Sequence, residues 1–95
     1  MSTRTLIVMR HAKSDYPSGV ADHQRPLAPR GIREAGLAGD WLRGHVPPIE
    51  QVLCSSATRT RQTLERTGIS APVEFSDRLY GATPGTMIDE INRVT

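Results

Sequence analysis

Residues 5–11 read Thr-Leu-Ile-Val-Met-Arg-His, an apolar and largely β-branched run that ends in an arginine and a histidine. A continuous apolar run of this kind is typical of a strand that is covered on both faces of a sheet. We therefore predict a strand over Thr5–Met9, with Arg10 and His11 at its carboxyl end. In open α/β sheets this is the edge at which ligands bind.

The rest of the chain alternates between helical and extended patterns. The predicted elements are, in order, a polar loop over residues 13–28, a helix from about Pro29 to Arg43, a strand over Gln51–Cys54, a helix from Ser55-Ser56 to Gly68, a strand over Pro72–Phe75 and a helix that opens at Thr83-Pro84. The order β-α-β-α-β-α predicts an α/β fold with three layers, α/β/α, around a mainly parallel sheet.

Two of these helices carry a stripe of apolar and small residues that we expect to face inward. The stripes are Ile32, Ala35, Gly39 and Leu42 on the first helix, and Met87, Ile88, Ile91 and Val94 on the third. Small residues at the centre of the first stripe favour close packing on the sheet. Hydroxyl groups at Ser55-Ser56 and Thr83 are expected to cap the second and third helices.

Composition limits the kind of protein. The chain has 95 residues, of which 37% are hydrophobic, and this fits one domain over residues 1–95. No apolar run is long enough for a membrane span or a secretory signal, and Cys54 stands alone, so a cytoplasmic protein with no membrane partner is expected. The formal charge is +2, from 11 arginines and one lysine that form no basic block. With aromatic residues at 4%, nucleic acid is not an expected partner.

The third helix is followed by no further strand. A three-stranded parallel sheet then has two bare edges, and the last crossover lacks its closing strand. Two explanations are open: the chain is the N-terminal part of a longer domain, truncated after the third helix, or another chain supplies a strand. We favour the first.

Two clusters of polar residues follow the first two predicted strands. The first is Arg10-His11-Ala12-Lys13-Ser14, and the second contains Ser55-Ser56, Arg59 and Arg61. Because the carboxyl ends of parallel strands share one edge, both clusters are expected around one pocket. Guanidinium groups suit phosphoryl oxygens, and a neutral histidine nitrogen can attack phosphorus to form a phosphohistidine. The clusters predict an anion site for a phosphoryl group.

The sequence resembles the histidine phosphatase superfamily, also called phosphoglycerate-mutase-like. Leu6–His11 is similar to the family's strand ending in Arg-His-Gly, and Ser55–Thr63 to its second motif, which ends in Gln-Thr. The run from Arg25-Pro26-Leu27 to Arg30-Gly31 is similar to the segment that opens the first helix. Together with Arg-His-Ala-Lys-Ser, these residues are closest to the branch of SixA-type phosphohistidine phosphatases.

The resemblance implies a phosphatase that needs no metal or cofactor and works through a phosphohistidine at His11. Arg10 and Arg59 would grip the phosphoryl oxygens, while Lys13 and Ser14 would line the mouth of the phosphate site. Arg25 and Asp77 are further candidates for contact with substrate. The expected partners are a phosphorylated protein or a small phosphorylated metabolite, with inorganic phosphate or another oxyanion in the pocket.

Three departures from the family pattern bear on function. No histidine follows residue 45, whereas the family has a second catalytic histidine on a later strand. Ala12 stands in the glycine place, and Arg78–Gly81 contains no carboxylate where relatives carry an acidic glutamate. Imidazole leaves more easily than an alkoxide without a proton donor, so phosphohistidine is the expected substrate. The alternatives are a broad small-molecule phosphomonoesterase and a phosphoryl-binding module with little catalysis.

Overall fold

The computed structural model describes residues 4–95, so residues 1–3 lie outside the description. Within that range the chain forms three α-helices and two β-strands. The elements are α1 (Pro29–His45), β1 (Val52–Ser55), α2 (Thr58–Thr67), β2 (Val73–Ser76) and α3 (Pro84–Val94), with short 3-10 turns at Asp22–Gln24 and Asp77–Leu79. None of the described helices is long and apolar enough to cross a bilayer.

The sheet consists of β1 and β2, which run parallel as predicted. Their register pairs Val52 with Val73 at one end and Ser55 with Ser76 at the other. The N–H of Ser56 then donates to the carbonyl oxygen of Ser76 at 3.2 Å. Both strands therefore end at the same edge of the sheet, and the α/β fold class with a parallel sheet is confirmed.

The predicted first strand is wrong. Residues 5–9 pair with neither strand, so the described sheet has two strands instead of three. Leu6, Val8 and Met9 are 63%, 66% and 41% exposed. A strand needs a neighbour for its backbone hydrogen bonds and elements that cover its faces. Residues 5–9 pair with no strand here, and most of their apolar side chains are exposed. Apolar composition alone did not reveal this.

The boundaries of α2 show one correct and one wrong prediction. The helix ends at Gly68 as predicted, where φ is 72° and the glycine N–H donates to Glu65 at 3.2 Å. At the other end the helix begins at Thr58, and its N-cap is Ala57, which offers no side chain to the orphan N–H groups. Ser55 lies too early: its Oγ accepts from the N–H of Ala57 at 3.3 Å.

In contrast, α3 is capped as predicted. The Oγ1 atom of Thr83 accepts from the N–H of Thr86 at 3.3 Å, and Pro84 occupies the first helical position. A proline is well tolerated there because that N–H has no helical partner.

The expected inward face of α3 is wrong at Ile88, which is 58% exposed. The buried residue of this helix is Glu90, at 2% exposure. The hydroxyl of Ser76 donates to Glu90 Oε2 at 2.8 Å, and Arg93 and Arg78 add ion pairs to the same carboxylate. These partners lower the pKa of Glu90, with hydrogen bonding from Arg93 as the largest cause. A charged network thus attaches α3 to the end of β2.

The small residues of α1 permit a close approach, as predicted, but the partner is α2 and not the sheet. A Cβ atom built on Gly39 would lie 2.0 Å from the carbonyl oxygen of Thr67, the last residue of α2. A Cβ atom on Gly31 would lie 2.1 Å from the carbonyl oxygen of Lys13. Two contacts of backbone with backbone therefore set the position of α1.

Substitution of Gly39 tests this contact. We expect Gly39→Ala to lower the free energy of unfolding by about 1–3 kcal/mol, because the new methyl group cannot fit without moving backbone. Gly44 is a matched control on the same helix, since a Cβ there meets no atom within 4 Å. Gly44→Ala should stabilise by about 0.5–1 kcal/mol through helix propensity. Urea unfolding followed by circular dichroism measures both, and equal effects of the two substitutions would contradict the packing.

Candidate active site

The segment that contains His11 is fastened to α2 by one buried hydroxyl. The N–H of Ala12 donates to Thr63 Oγ1 at 3.0 Å, and the same hydroxyl donates to the carbonyl oxygen of Arg59 at 2.8 Å. Thr63 is 3% exposed. Because it both accepts and donates, this side chain places Arg10 and His11 against the first turns of α2.

The orientation of the His11 ring determines its chemistry. Its Nδ1 atom lies 2.8 Å from the carbonyl oxygen of Ala12. A carbonyl oxygen can only accept, so Nδ1 carries the proton in this hydrogen bond. In the neutral ring, Nε2 is then the unprotonated nitrogen, with a lone pair available for attack.

Next to this ring lies a cavity of about 230 Å³. Its lining consists of Met9, Arg10, His11, Ala12, Glu34, Ala35, Ala38 and Thr63. This volume is well above the ~30 Å³ share of one water molecule, so a small oxyanion fits in it. The cavity joins Arg10 and His11 to the face of α1 that carries Glu34.

The polar loop over residues 13–28 is folded back on itself. Ser14 and Leu27 form an antiparallel bridge, and the N–H of Ala28 donates to the carbonyl oxygen of Lys13 at 2.9 Å. The side chain of Gln62, in α2, accepts from the N–H of Leu27 at 2.8 Å. Both Ser14 and Leu27 are buried. The Gln-Thr pair of α2 therefore holds both ends of the loop, Thr63 at one end and Gln62 at the other.

The middle of the loop places Asp22 at the centre of a charged cluster. Its carboxylate accepts from Arg25 Nε at 2.9 Å, from Arg59 Nη2 at 3.3 Å and from the hydroxyl of Tyr80. Its carbonyl oxygen also accepts from Arg59 Nη1 at 2.7 Å. Asp22 thus connects the loop to α2 and to the segment that follows β2.

These partners change the ionisation of Asp22. They lower its pKa from 3.8 to about 2, with the hydrogen bond from Tyr80 as the largest cause and the one from Arg25 next. The same contact raises the pKa of the Tyr80 hydroxyl. Asp22 is therefore a carboxylate at neutral pH and has no proton to donate.

Arg25 organises the loop from within. Its Nη1 atom donates to Ser14 Oγ at 3.1 Å and to the carbonyl oxygen of Asp15 at 3.0 Å. Its guanidinium carbon lies 4.0 Å from the ring centroid of Tyr16, which is a cation–π geometry. With its bond to Asp22 included, this one side chain crosslinks four residues of the loop.

His23 joins the loop to the sheet edge. Its Nε2 atom lies 3.0 Å from Ser56 Oγ, just beyond β1. Its ring meets the ring of Tyr80 edge-on, with centroids 4.9 Å apart. The ends of β1 and β2 and the loop therefore converge at one edge, where the sequence places the ligand site.

The predicted site residues occupy different places in the structure. Arg10 and His11 line the cavity, whereas the guanidinium of Arg59 lies with Asp22. The backbone carbonyl oxygen of Arg59 is linked to the His11 segment through the hydroxyl of Thr63. Ser14 is buried against Arg25. Lys13 and Asp77 have exposed side chains, and the carbonyl oxygen of Asp77 accepts from the N–H of Tyr80. The roles assigned to all these residues stay predictions.

Sequence reasoning did not identify the roles of Thr63, Tyr80 and Glu34. The hydrogen bond from Thr63 to Arg59 could have been predicted from the sequence. Thr63 lies four residues after Arg59, and a threonine hydroxyl in a helix can reach the carbonyl oxygen one turn back. Tyr80 and Glu34 lie on elements remote in sequence from the segments they approach, and nothing local marks them. No three metal-ligating side chains come together anywhere in residues 4–95.

With this geometry in place, the family is clear from comparison with known proteins. The family model of the histidine phosphatase superfamily (branch 1) matches residues 6–91. This range includes both motifs and the loop between them. The chain belongs to this superfamily, as the resemblance of its motifs predicted.

Similar proteins place the chain near the SixA branch. An uncharacterized protein of Mycobacterium tuberculosis (strain ATCC 25618 / H37Rv) is 71% identical over 86 residues, which cover 90% of this chain and 54% of that protein. The structure of a Nakamurella multipartitia protein, provisionally described as phosphohistidine phosphatase SixA, has 52% identity and a TM-score of 0.85, covering 92% of this chain and 49% of that one. A protein histidine phosphatase SixA complexed with tungstate has 38% identity and a TM-score of 0.61, covering 70% of this chain and 46% of that one. The chain spans about half the length of these relatives.

The hydroxyl of Thr63 offers a direct test of the attachment between His11 and α2. Thr63→Val keeps the shape but removes both hydrogen bonds, so the N–H of Ala12 should lose its protection from hydrogen exchange. We also expect about 1–3 kcal/mol lower stability, because a buried donor is left without a partner. Thr63→Ser keeps the hydroxyl and serves as the control. Retained protection of the Ala12 amide in Thr63→Val, measured by NMR, would show that another contact holds the segment.

The ionisation of Asp22 gives a pH-dependent prediction. A carboxyl group with a folded-state pKa below its unfolded value stabilises the folded state when ionised. The stabilisation from Asp22 is therefore complete above about pH 4 and is lost as the pH falls through 2. Tyr80→Phe should raise the pKa of Asp22 toward 3.8 and raise the pH at which the protein unfolds in acid. An NMR titration of the Asp22 carboxyl carbon measures this, and an unchanged midpoint in Tyr80→Phe would count against the contact.

Proposed function

We propose that this protein is a phosphatase that transfers a phosphoryl group to His11 and then to water. The supporting observation is the hydrogen bond from His11 Nδ1 to the carbonyl oxygen of Ala12, at 2.8 Å. This bond holds the ring in the tautomer whose Nε2 lone pair is available as the nucleophile. The adjacent cavity, which Arg10 also lines, has room for the phosphoryl group.

In this proposal, arginine side chains stabilise the charge on the transferring group. Arg10 lies in the cavity wall with His11. Arg59 has five N–H donors, of which its contacts with Asp22 use one on each Nη atom, so three are left for phosphoryl oxygens. Asp22 then acts as the support that holds the Arg59 fork in one orientation. Lys13, which is exposed, is proposed at the mouth, and the buried Ser14 is proposed to act through Arg25.

The first step of the reaction needs no acid from the protein if the leaving group is an imidazole. His11 Nε2 attacks phosphorus, the bond from phosphorus to the leaving nitrogen breaks, and its electron pair stays on that nitrogen. An imidazole already protonated on its other nitrogen leaves as a neutral ring. An alkoxide instead needs a proton, and Asp22, with a pKa of about 2, is ionised at neutral pH. These considerations favour phosphohistidine over an alkyl phosphate.

We therefore propose a phosphorylated histidine on a protein as the substrate. The relatives described as SixA phosphohistidine phosphatases support this choice, and the relative complexed with tungstate supports an oxyanion site. The histidines of this sequence are His11, His23 and His45. Since His23 is paired with Ser56 and His45 lies on α1, neither is proposed as a second catalytic histidine. This favours a phosphoryl-binding module as the second candidate for these 95 residues.

Labelling with phosphoramidate, a small phosphoryl donor, tests the nucleophile. We expect one acid-labile and alkali-stable phosphoryl group on His11, detected by intact mass and peptide mapping at neutral pH. His11→Ala should remove this label completely. His45→Ala is the matched control, because His45 bonds Trp41 on α1 and lies apart from the proposed site. Label on His23 or His45 in place of His11 would contradict the proposal.

A comparison of donors distinguishes the candidate substrates. A phosphohistidine-containing protein should phosphorylate His11 faster than an aliphatic phosphate ester does. Faster transfer from the ester would favour a phosphomonoesterase. Saturable binding of tungstate without any labelling of His11 would favour the binding module.

A further inference from the structure

The cavity beside His11 has one acidic wall. Among its lining residues, Glu34 is the one with a carboxylate, and it comes from α1, whereas Arg10 and His11 come from the segment before the 13–28 loop. A carboxylate repels phosphate and other oxyanions, so it is out of place in a cavity that only has to bind phosphate. His11 lines the same cavity, so a phosphoryl group bound to it there would share that space with Glu34.

Glu34 has spare hydrogen-bonding capacity. Its Oε1 atom accepts from Arg30 Nε at 2.5 Å, one helical turn earlier. Within residues 4–95, its Oε2 atom accepts no hydrogen bond. The Glu34 side chain is 45% exposed and that of Arg30 is 70% exposed, so Glu34 lines the cavity and is also open to solvent. One anionic acceptor is therefore available beside the nucleophile.

We infer that Glu34 is a specificity-determining residue that accepts the ring N–H of the leaving imidazole of a phosphohistidine substrate. This inference rests on the proposed function. Phosphohistidine carries the phosphoryl group on one ring nitrogen and a proton on the other in its reactive form. A carboxylate that accepts this N–H stabilises the protonated ring, which is the better leaving group.

The step balances without a proton transfer. His11 Nε2 forms its bond to phosphorus as the bond to the substrate nitrogen breaks, and the electron pair stays on the substrate ring. The ring departs neutral, with its other nitrogen still bonded to hydrogen and to Glu34. The carbonyl oxygen of Ala12 likewise accepts the Nδ1–H of His11 and keeps the proton on that nitrogen. The arrangement gives each imidazole its own acceptor.

Glu34→Gln tests two expected effects of the carboxylate, which are to assist the leaving imidazole and to repel a bound oxyanion. With phosphoimidazole as the donor, we expect His11 phosphorylation to be roughly tenfold slower, the size of a lost hydrogen bond to a charged group. Tungstate should bind roughly two- to fivefold more tightly, because a partly exposed negative charge is gone. A residue with only a structural role would not produce opposite changes in these two measurements.

Two controls complete the experiment on the full chain. Arg30→Gln removes the partner of Glu34 and leaves the carboxylate, so phosphorylation by phosphoimidazole should keep its rate within about twofold. A phosphoimidazole methylated on its second nitrogen has no N–H, so Glu34→Gln should not slow its reaction. Thermal unfolding of each variant verifies that it is folded.

The outcomes distinguish this inference from the proposed function. If the parent chain is phosphorylated on His11 and Glu34→Gln leaves the rate unchanged, the role of Glu34 is wrong and the proposed function stands. Equal slowing in Arg30→Gln and Glu34→Gln would also overturn it, in favour of an ion pair that only stabilises α1. If no donor phosphorylates the parent chain, the proposed function fails and the role of Glu34 fails with it.

Discussion

The candidate site depends on the hydroxyl of Thr63. It is the contact through which the segment that carries His11 is attached to α2, since it accepts from the N–H of Ala12 and donates to the carbonyl oxygen of Arg59. A buried hydroxyl that makes both bonds leaves no polar group without a partner, which is the condition for placing it inside a protein at all. Its effect is to hold the segment with Arg10 and His11 against the N-terminal turns of α2.

Charged side chains connect several elements of this chain, a role that buried apolar side chains have in larger domains. The buried apolar residues of the described chain are Leu27, Ala35, Leu42, Cys54 and Ala57, and most of them are small. Carboxylates hold the remaining elements together: Asp22 joins the 13–28 loop to Arg59 and Tyr80, and Glu90 joins α3 to Ser76. Both carboxyl groups have lowered pKa values, so acid weakens the loop and the helix attachment alike.

Hydrogen bonding to a ring N–H also governs the chemistry proposed at His11. A ring nitrogen can act as a nucleophile or as a leaving group when its partner nitrogen holds a proton and an acceptor fixes that proton. The carbonyl oxygen of Ala12 supplies the acceptor for His11, and Glu34, in the lining of the same cavity, offers a second acceptor. The proposed transfer between imidazoles would need no carboxylic acid, which agrees with the ionised state of Asp22.

Local sequence was sufficient for the helices, the parallel order of β1 and β2, and the motifs that identify the superfamily. These features depend on neighbouring residues: glycine after α2, Thr83-Pro84 before α3, and the residues that follow each strand. Tertiary structure alone decided that residues 5–9 form no strand, that Gly39 packs on Thr67, and that Glu90 is buried. It also brought Glu34 to the cavity of His11. Strand pairing, burial and convergence depend on partners far away in the chain, and no local pattern records which partner a residue will meet.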